Sequence, residues 1–198
     1  MRCRLGRCGL AVAGFALAAV AVFALTQMAH HNLHVVVPGE VYRAGQMNAD
    51  QLAGCITNYG IRSVLNLRGP NGGQAWYRGE TQTLAQLNVA HYDLRWSSGE
   101  EVDPAQMAAT VGLLRAAPKP LLIHCQGGAD RTSLASALYR FAVVGKPADE
   151  AAGEMSVWYG HVTWLRPKVR AMDRSFWNYV SNGEAGQVAP SRGPTSRD

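Results

Sequence analysis

PLLIHCQGGADRTSLASALYRF, residues 120–141, is the stretch that decides the fold. Its first six residues, PLLIHC, are short and almost wholly apolar, as a central parallel strand should be. Cys125 closes that strand. Gly127 and Gly128 then allow a tight loop, and Arg131-Thr132 opens a helix that runs to about Val144. Strand, glycine loop and helix start in this order put Cys125 at the C-terminal edge of a sheet, where open α/β sheets bind their ligands. The backbone N–H groups of Gln126, Gly127, Gly128, Ala129 and Asp130 can turn toward an anion there. The partial positive charge of the helix start adds to them. Such a field suits a cysteine acting as a nucleophile. Arg131, six residues on, can return beside Cys125 and grip two phosphate oxygens with its planar fork. Thr132 can donate its hydroxyl to the sulfur. The bland alternative is an inert buried cysteine before a helix with a surface arginine.

Working outward, VYRAGQ supplies a strand at Val41–Arg43. NADQLAGCITNYG supplies a helix capped by Asn48 and stopped at Gly60, with Leu52, Cys55, Ile56 and Tyr59 on one face. RSVLNLRG reads as a buried strand ended by Gly69-Pro70, and residues 74–88 as a helix. HYDLRW, residues 91–96, alternates so that Tyr92, Leu94 and Trp96 share a side. Asp103-Pro104 opens a helix to about Ala116. Pro147 begins another, to about Tyr159, and Pro167 a third, to about Val180. This order predicts an α/β fold over residues 35–181: a three-layer domain whose central, mainly parallel sheet is flanked by helices. Residues 182–198, rich in Gly, Ser and Pro, read as a disordered tail.

Residues 1–34 hold Arg2, Arg4 and Arg7 and no acidic residue. The chain's formal charge of +5 therefore falls to +2 over the other 164 residues, with 16 basic against 14 acidic. A near-neutral body argues against a nucleic-acid partner. CGLAVAGFALAAVAVFAL, residues 8–25, is an uncharged apolar run behind those arginines, long enough to span a bilayer core as a helix. It predicts an N-terminal apolar helix, an uncleaved signal anchor in preference to a cleaved signal peptide. The rest of the chain is then placed outside the cytoplasm, on the periplasmic side. A monomer is expected. Cys3, Cys8, Cys55 and Cys125 lack the paired spacing of a disulfide framework or a zinc site, and Cys55 reads as core.

HCQGGADRTS resembles the phosphate-binding loop, HCxxGxxR[ST], of the cysteine-dependent protein tyrosine and dual-specificity phosphatase superfamily. VYRAGQM and SVLNLRG are similar to the opening strands of its compact, atypical bacterial members. The resemblance covers about residues 38–180. It implies a dual-specificity-phosphatase-like fold and a two-step hydrolysis of phosphomonoesters that needs no metal or cofactor. Cys125 would attack phosphorus, Arg131 would clamp the phosphate, and residues 126–130 would line it. It also implies a proton-donating acid. Asp93 lies 32 residues before Cys125 but inside a strand pattern, and the loop SSGEEVDP offers Glu100, Glu101 and Asp103. GADRT is similar to phosphatases in which the loop aspartate is the proposed acid. Asp130 therefore ranks first, Asp103 second, and Glu100 or Glu101 third; the alternative for Asp130 is a carboxylate that orients Arg131 or caps the helix.

Gln126 and Ala129 are neutral where phosphoinositide-selective relatives carry Lys, which favours a single phosphate such as phosphotyrosine. Arg68 ends LNLR at the same sheet edge and is a candidate substrate contact, with a surface ion pair as its alternative. His124 is expected to orient the loop through a backbone carbonyl. His30, His31 and His34 read as a polar linker, and Trp158, Tyr159, Trp164, Phe176 and Trp177 as core. Two rival functions share these features: a rhodanese-like sulfurtransferase, and a catalytically weak module that only binds phosphate.

Overall fold

The computed structural model describes residues 30–187 and four helical positions before them, Gly14, Phe15, Ala18 and Val22. Most of the expected apolar helix over 8–25 lies outside the described residues, as do residues 188–198. Among the described residues, no helix is long and apolar enough to cross a membrane.

Five strands of four residues make one sheet: β1 (His34–Val37), β2 (Val41–Ala44), β3 (Ser63–Asn66), β4 (Ala90–Asp93) and β5 (Leu121–His124). Their order is β1-β2-β5-β3-β4. β2, β5, β3 and β4 pair in parallel, as expected, while β1 adds an antiparallel edge that makes the sheet mixed. Sequence reading assigns β1 to a linker. Its signal is the β-branched run Val35–Val37 before a turn at Pro38-Gly39, with Gly39 at φ +73°. β5 sits at the centre of the sheet with all four residues buried.

Alternation along the strands feeds two cores. Leu65, Leu121 and Ile123 face one layer, and Val64 and Leu122 the other. The first layer is α3 (Pro104–Ala116), α4 (Asp130–Leu138) and α6 (Arg170–Gln187), which contribute Met107, Leu114, Leu134, Leu138, Met172 and Phe176. The second is α1 (Ala49–Tyr59) and α2 (Ala75–Gln86), with Leu52, Cys55, Ile56 and Leu84. Burial pushes the Cys55 thiol up to about 11, consistent with a core role. Tyr92, Leu94 and Trp96 share the first core, as their alternation predicts.

The capping signals hold. Asn48 and Gln51 form a reciprocal capping box on α1, and Gly60 at φ +62° ends it. Asp103 caps α3, with Pro104 in its first turn. The helix after β5 changes character, passing from α4 into a π-helical turn over Tyr139–Val143. The helix expected to reach Tyr159 stops at Ala152, as α5 (Ala148–Ala152). Irregular chain follows, turning at Gly160 with φ +81°. α6 runs to Gln187, beyond the position where the tail was expected to begin, because no proline interrupts the sequence before Pro190.

Candidate active site

Cys125 follows β5 directly, is 3 % exposed, and opens the loop 126–129 at the start of α4. What shapes that loop is where its carbonyls go. The Gln126 carbonyl accepts from the Gln46 backbone N–H at 3.0 Å. The Gly127 carbonyl accepts from Asn32 Nδ2 at 3.0 Å, and the Gly128 carbonyl from Arg43 Nη2 at 2.9 Å. Three successive peptide oxygens are thus drawn outward by the surrounding scaffold. Among the described residues, the N–H groups of Gln126 to Arg131 donate to nothing within the protein. A ring of unspent donors around a cysteine is an anion cradle. Gly128 is required: it sits at φ +67°, and a Cβ there would lie 2.6 Å from the Ala44 and Gly45 backbone.

Arg43, fully buried, is the centre of this scaffold. Besides Gly128 it donates to Ser133 Oγ at 2.7 Å, and to the Glu154 carboxylate at 2.8 Å and backbone carbonyl at 2.9 Å. Its guanidinium carbon stacks 3.9 Å from the Tyr159 ring centroid. Burial draws the Arg43 guanidinium down from its ordinary value while Glu154 opposes the shift. His34 and Asn32 belong to the same scaffold, Nε2 and Oδ1 lying 3.0 Å apart, so His34 is not a linker residue.

Arg131 Nη1 is anchored to the carbonyls of Leu67 at 3.3 Å and Trp96 at 3.2 Å. Its buried Nε has no partner. One end of the fork is therefore fixed while donors remain for an anion, as a phosphate clamp requires. Thr132 is fully buried but its hydroxyl makes no hydrogen bond, so the expected donation to sulfur is not formed.

The expected acids divide sharply. Asp130 is bracketed: Arg166 donates to Oδ2 at 3.0 Å and Oδ1 at 3.2 Å, and His161 Nδ1 lies 2.8 Å from Oδ1. That geometry ties the start of α4 to the 160–166 segment: Asp130 is held in an ion-pair network, and among the described residues it neither caps α4 nor bonds Arg131 as the alternative had it. Asp103 is spent on capping α3. Glu101 is held by Arg174 and Asn178. Asp93 accepts from Asn66 and Tyr77. Glu100 is exposed and holds no such bond, in the loop that leaves the site at Trp96.

Sequence reading misses Glu80, buried on α2, with carboxylate oxygens 3.3 Å from His124 Nε2 and 3.2 Å from His91 Nε2. Burial alone would raise its carboxyl, but His124, His91 and Gln46 hold it well below the usual carboxylate range. The His124 ring thus addresses a carboxylate and not a backbone carbonyl. A signal exists: Glu80 falls between Trp76 and Leu84 at i, i+4 and i+8, on the face that packs inward. Gln46, which donates to Glu80 at 2.8 Å, accepts from Arg68 Nη1 at 3.1 Å. The Arg68 guanidinium stacks 3.6 Å from the Trp76 centroid and forms no ion pair among the described residues. Burial and then the charge of Arg131 lower it from its ordinary value. Trp158 and Trp164, expected in the core, are 69 % and 72 % exposed.

His161 supplies a pH test. Burial alone would lower its imidazole, but hydrogen bonds to Asp130 and Asp173 raise it to about 9 from 6.5. Its stabilising charge is fully present below about pH 6.5 and is lost as pH rises through about 9. Melting temperature should therefore fall over that interval, reflecting a loss of roughly 1–3 kcal/mol. His161→Gln should start lower and show a flatter profile. An equal slope in both proteins would remove His161 as the cause.

Comparison with known proteins adds three findings. A family model described as a tyrosine phosphatase family matches residues 25–154. The crystal structure of P. aeruginosa TpbA is similar at 25 % identity, covering 80 % of this chain and 91 % of that one, with a TM-score of 0.61. The core catalytic domain of the PP-IP phosphatase SIW14 from S. cerevisiae, in complex with citrate, is 22 % identical. That match covers 80 % of this chain and 90 % of that one, with a TM-score of 0.59, and bears on the fold alone. No curated protein matches the sequence.

Proposed function

Because the chain belongs to the tyrosine phosphatase family, we propose that it hydrolyses phosphotyrosine or a related protein phosphomonoester through a phosphocysteine on Cys125. The observation that carries this reading is the cradle itself, with Cys125 among unspent backbone donors and Arg131 fixed at one end of its fork. A solved complex of a TpbA cysteine-to-serine form with pTyr, 24 % identical, shares the fold. In this mechanism the Cys125 sulfur attacks phosphorus and the P–O bond to tyrosine breaks. Glu100 gives its proton to the departing phenolic oxygen. Water then attacks the phosphocysteine, gives a proton to the same carboxylate, and frees phosphate and the sulfur. Glu100 takes the acid role ahead of Asp130 because it lies in the loop after Trp96 and, unlike Asp130, holds no hydrogen bond or ion pair among the described residues. The same reading anchors the chain in a membrane through residues 8–25, with the domain on the outer side; the apolar run behind three arginines supports this.

Two assays test the proposal. The full chain should release phosphate from a phosphotyrosine peptide without added metal, and vanadate should block it. Sulfite release from thiosulfate without phosphate release would favour the sulfurtransferase reading instead. On phenyl phosphate, whose leaving group needs a proton, Glu100→Gln should lower kcat by about 10²–10³-fold, and on p-nitrophenyl phosphate, whose leaving group needs little help, by far less. An equal effect on both substrates would remove Glu100 from the role.

A further inference from the structure

Arg68 and Arg131 are neighbours by construction. Arg131 Nη1 donates to the carbonyl of Leu67, the residue before Arg68. From there the Arg68 side chain reaches Gln46, whose backbone N–H holds the Gln126 carbonyl next to Cys125. Arg68 therefore bridges from the Arg131 side of the cradle to the Gln126 side. Two features fix it. Its guanidinium stacks on Trp76 at 3.6 Å, and Nη1 is held by Gln46 at 3.1 Å. The bond is to a neutral amide, so no carboxylate touches the guanidinium, although Glu80 beyond Gln46 and Cys125 act on it through space; the other guanidinium N–H groups make no bond among the described residues. A rigid, half-exposed fork beside a phosphate site, with its donors unspent, is built to receive a second anion.

We infer that Arg68, fixed by Gln46 and Trp76, forms a subsite for a carboxylate flanking the phosphorylated residue, so that acidic phosphotyrosine peptides are selected. A carboxylate fits better than a second phosphate. A phosphate brings close to two negative charges and three acceptor oxygens. The subsite offers one cation, and the nearby loop side chains, Gln126 and Ala129, are neutral. This inference rests on the phosphotyrosine reading and deepens it.

The test uses the full chain and five probes: a phosphotyrosine peptide with Asp or Glu beside the phosphoresidue, the same peptide with Ala or with Lys there, an inositol bisphosphate, and phenyl phosphate. Wild type should favour the acidic peptide over the alanine peptide by about tenfold in kcat/KM, chiefly through KM, as one charge-assisted pair supplies. Arg68→Gln should collapse that ratio toward one, and Arg68→Glu should invert it in favour of a Lys-flanked peptide. Arg68→Lys should restore part of the preference. A ratio unchanged in Arg68→Gln would overturn the inference. So would an equal loss on both peptides, which would place Arg68 on the scissile phosphate. Faster turnover of the bisphosphate than of the acidic peptide would assign the subsite to a polyphosphorylated small molecule. No turnover of either peptide by wild type, with phenyl phosphate still hydrolysed, would overturn the phosphotyrosine reading and this inference together. Equal turnover of both by wild type would overturn the inference alone.

Discussion

Cys125→Ser is expected to lower turnover of phenyl phosphate by at least about 10⁴-fold, to a rate near background. A hydroxyl is a far weaker nucleophile than a thiolate, and the imidazole adjacent in sequence, His124, lies 3.3 Å from Glu80, with no hydrogen bond to position 125 among the described residues. The cradle should survive the exchange. Its carbonyls are held by Gln46, Asn32 and Arg43, none of which hydrogen-bonds the thiol among the described residues. The variant should therefore still bind tungstate, measured by calorimetry, with an affinity close to that of wild type. Loss of turnover with retained anion binding separates nucleophile from scaffold. Turnover within tenfold of wild type would sink the phosphocysteine mechanism.

Arg43→Met should have the largest effect on stability, a loss of about 3–5 kcal/mol. The substitution strips the buried Glu154 of its close partner at 2.8 Å and leaves only Arg140 at 3.2 Å. It also orphans Ser133 Oγ and the Gly128 carbonyl, each a buried group that then has no water to turn to. Thermal denaturation should show the midpoint lower by roughly 6–20 °C for a domain of this size. Activity should fall as well, because Gly128 loses the donor that turns its peptide. Arg140→Met removes the more exposed partner of Glu154 and serves as the comparison, with a drop of roughly a third as much. A midpoint shift below 2 °C for Arg43→Met would show that the buried network does not hold the loop.

The sequence makes the layered architecture legible because its signals are local. PLLIHC is a buried strand on composition alone, Asn48 and Gly60 bound a helix, and Asp103-Pro104 opens another. The cradle is legible for the same reason, since Cys125, the glycines and Arg131 lie within seven residues. What is illegible is whatever depends on partners far along the chain. Asn32 and Arg43 meet the loop across 95 and 85 residues. Asp130 looks like an acid beside Arg131 until Arg166 and His161 arrive from an irregular segment that carries no periodicity. Trp158 and Trp164 are read at helical spacing, but only a single 3-10 turn forms there, over Val157–Tyr159, and no α-helix joins the two residues, so the spacing implies no shared buried face. β1 is overlooked for another reason: four residues at a sheet edge need only a short β-branched run and a turn.

The way the loop is gripped has an evolutionary consequence. Because the scaffold holds main-chain carbonyls, which every residue type possesses, the loop's conformation places little demand on the side chain at Gln126. That side chain is exposed while its carbonyl is fixed. Position 126 is thus free to drift without loss of the chemistry. A single base change converting Gln to Lys would add a cation at the mouth of the site and leave Cys125, Arg131 and the loop backbone where they are. Under the proposed function, selectivity for the phosphorylated partner can diversify in such a protein faster than the reaction itself, since the two properties reside in different atoms of the same seven-residue stretch, 125–131.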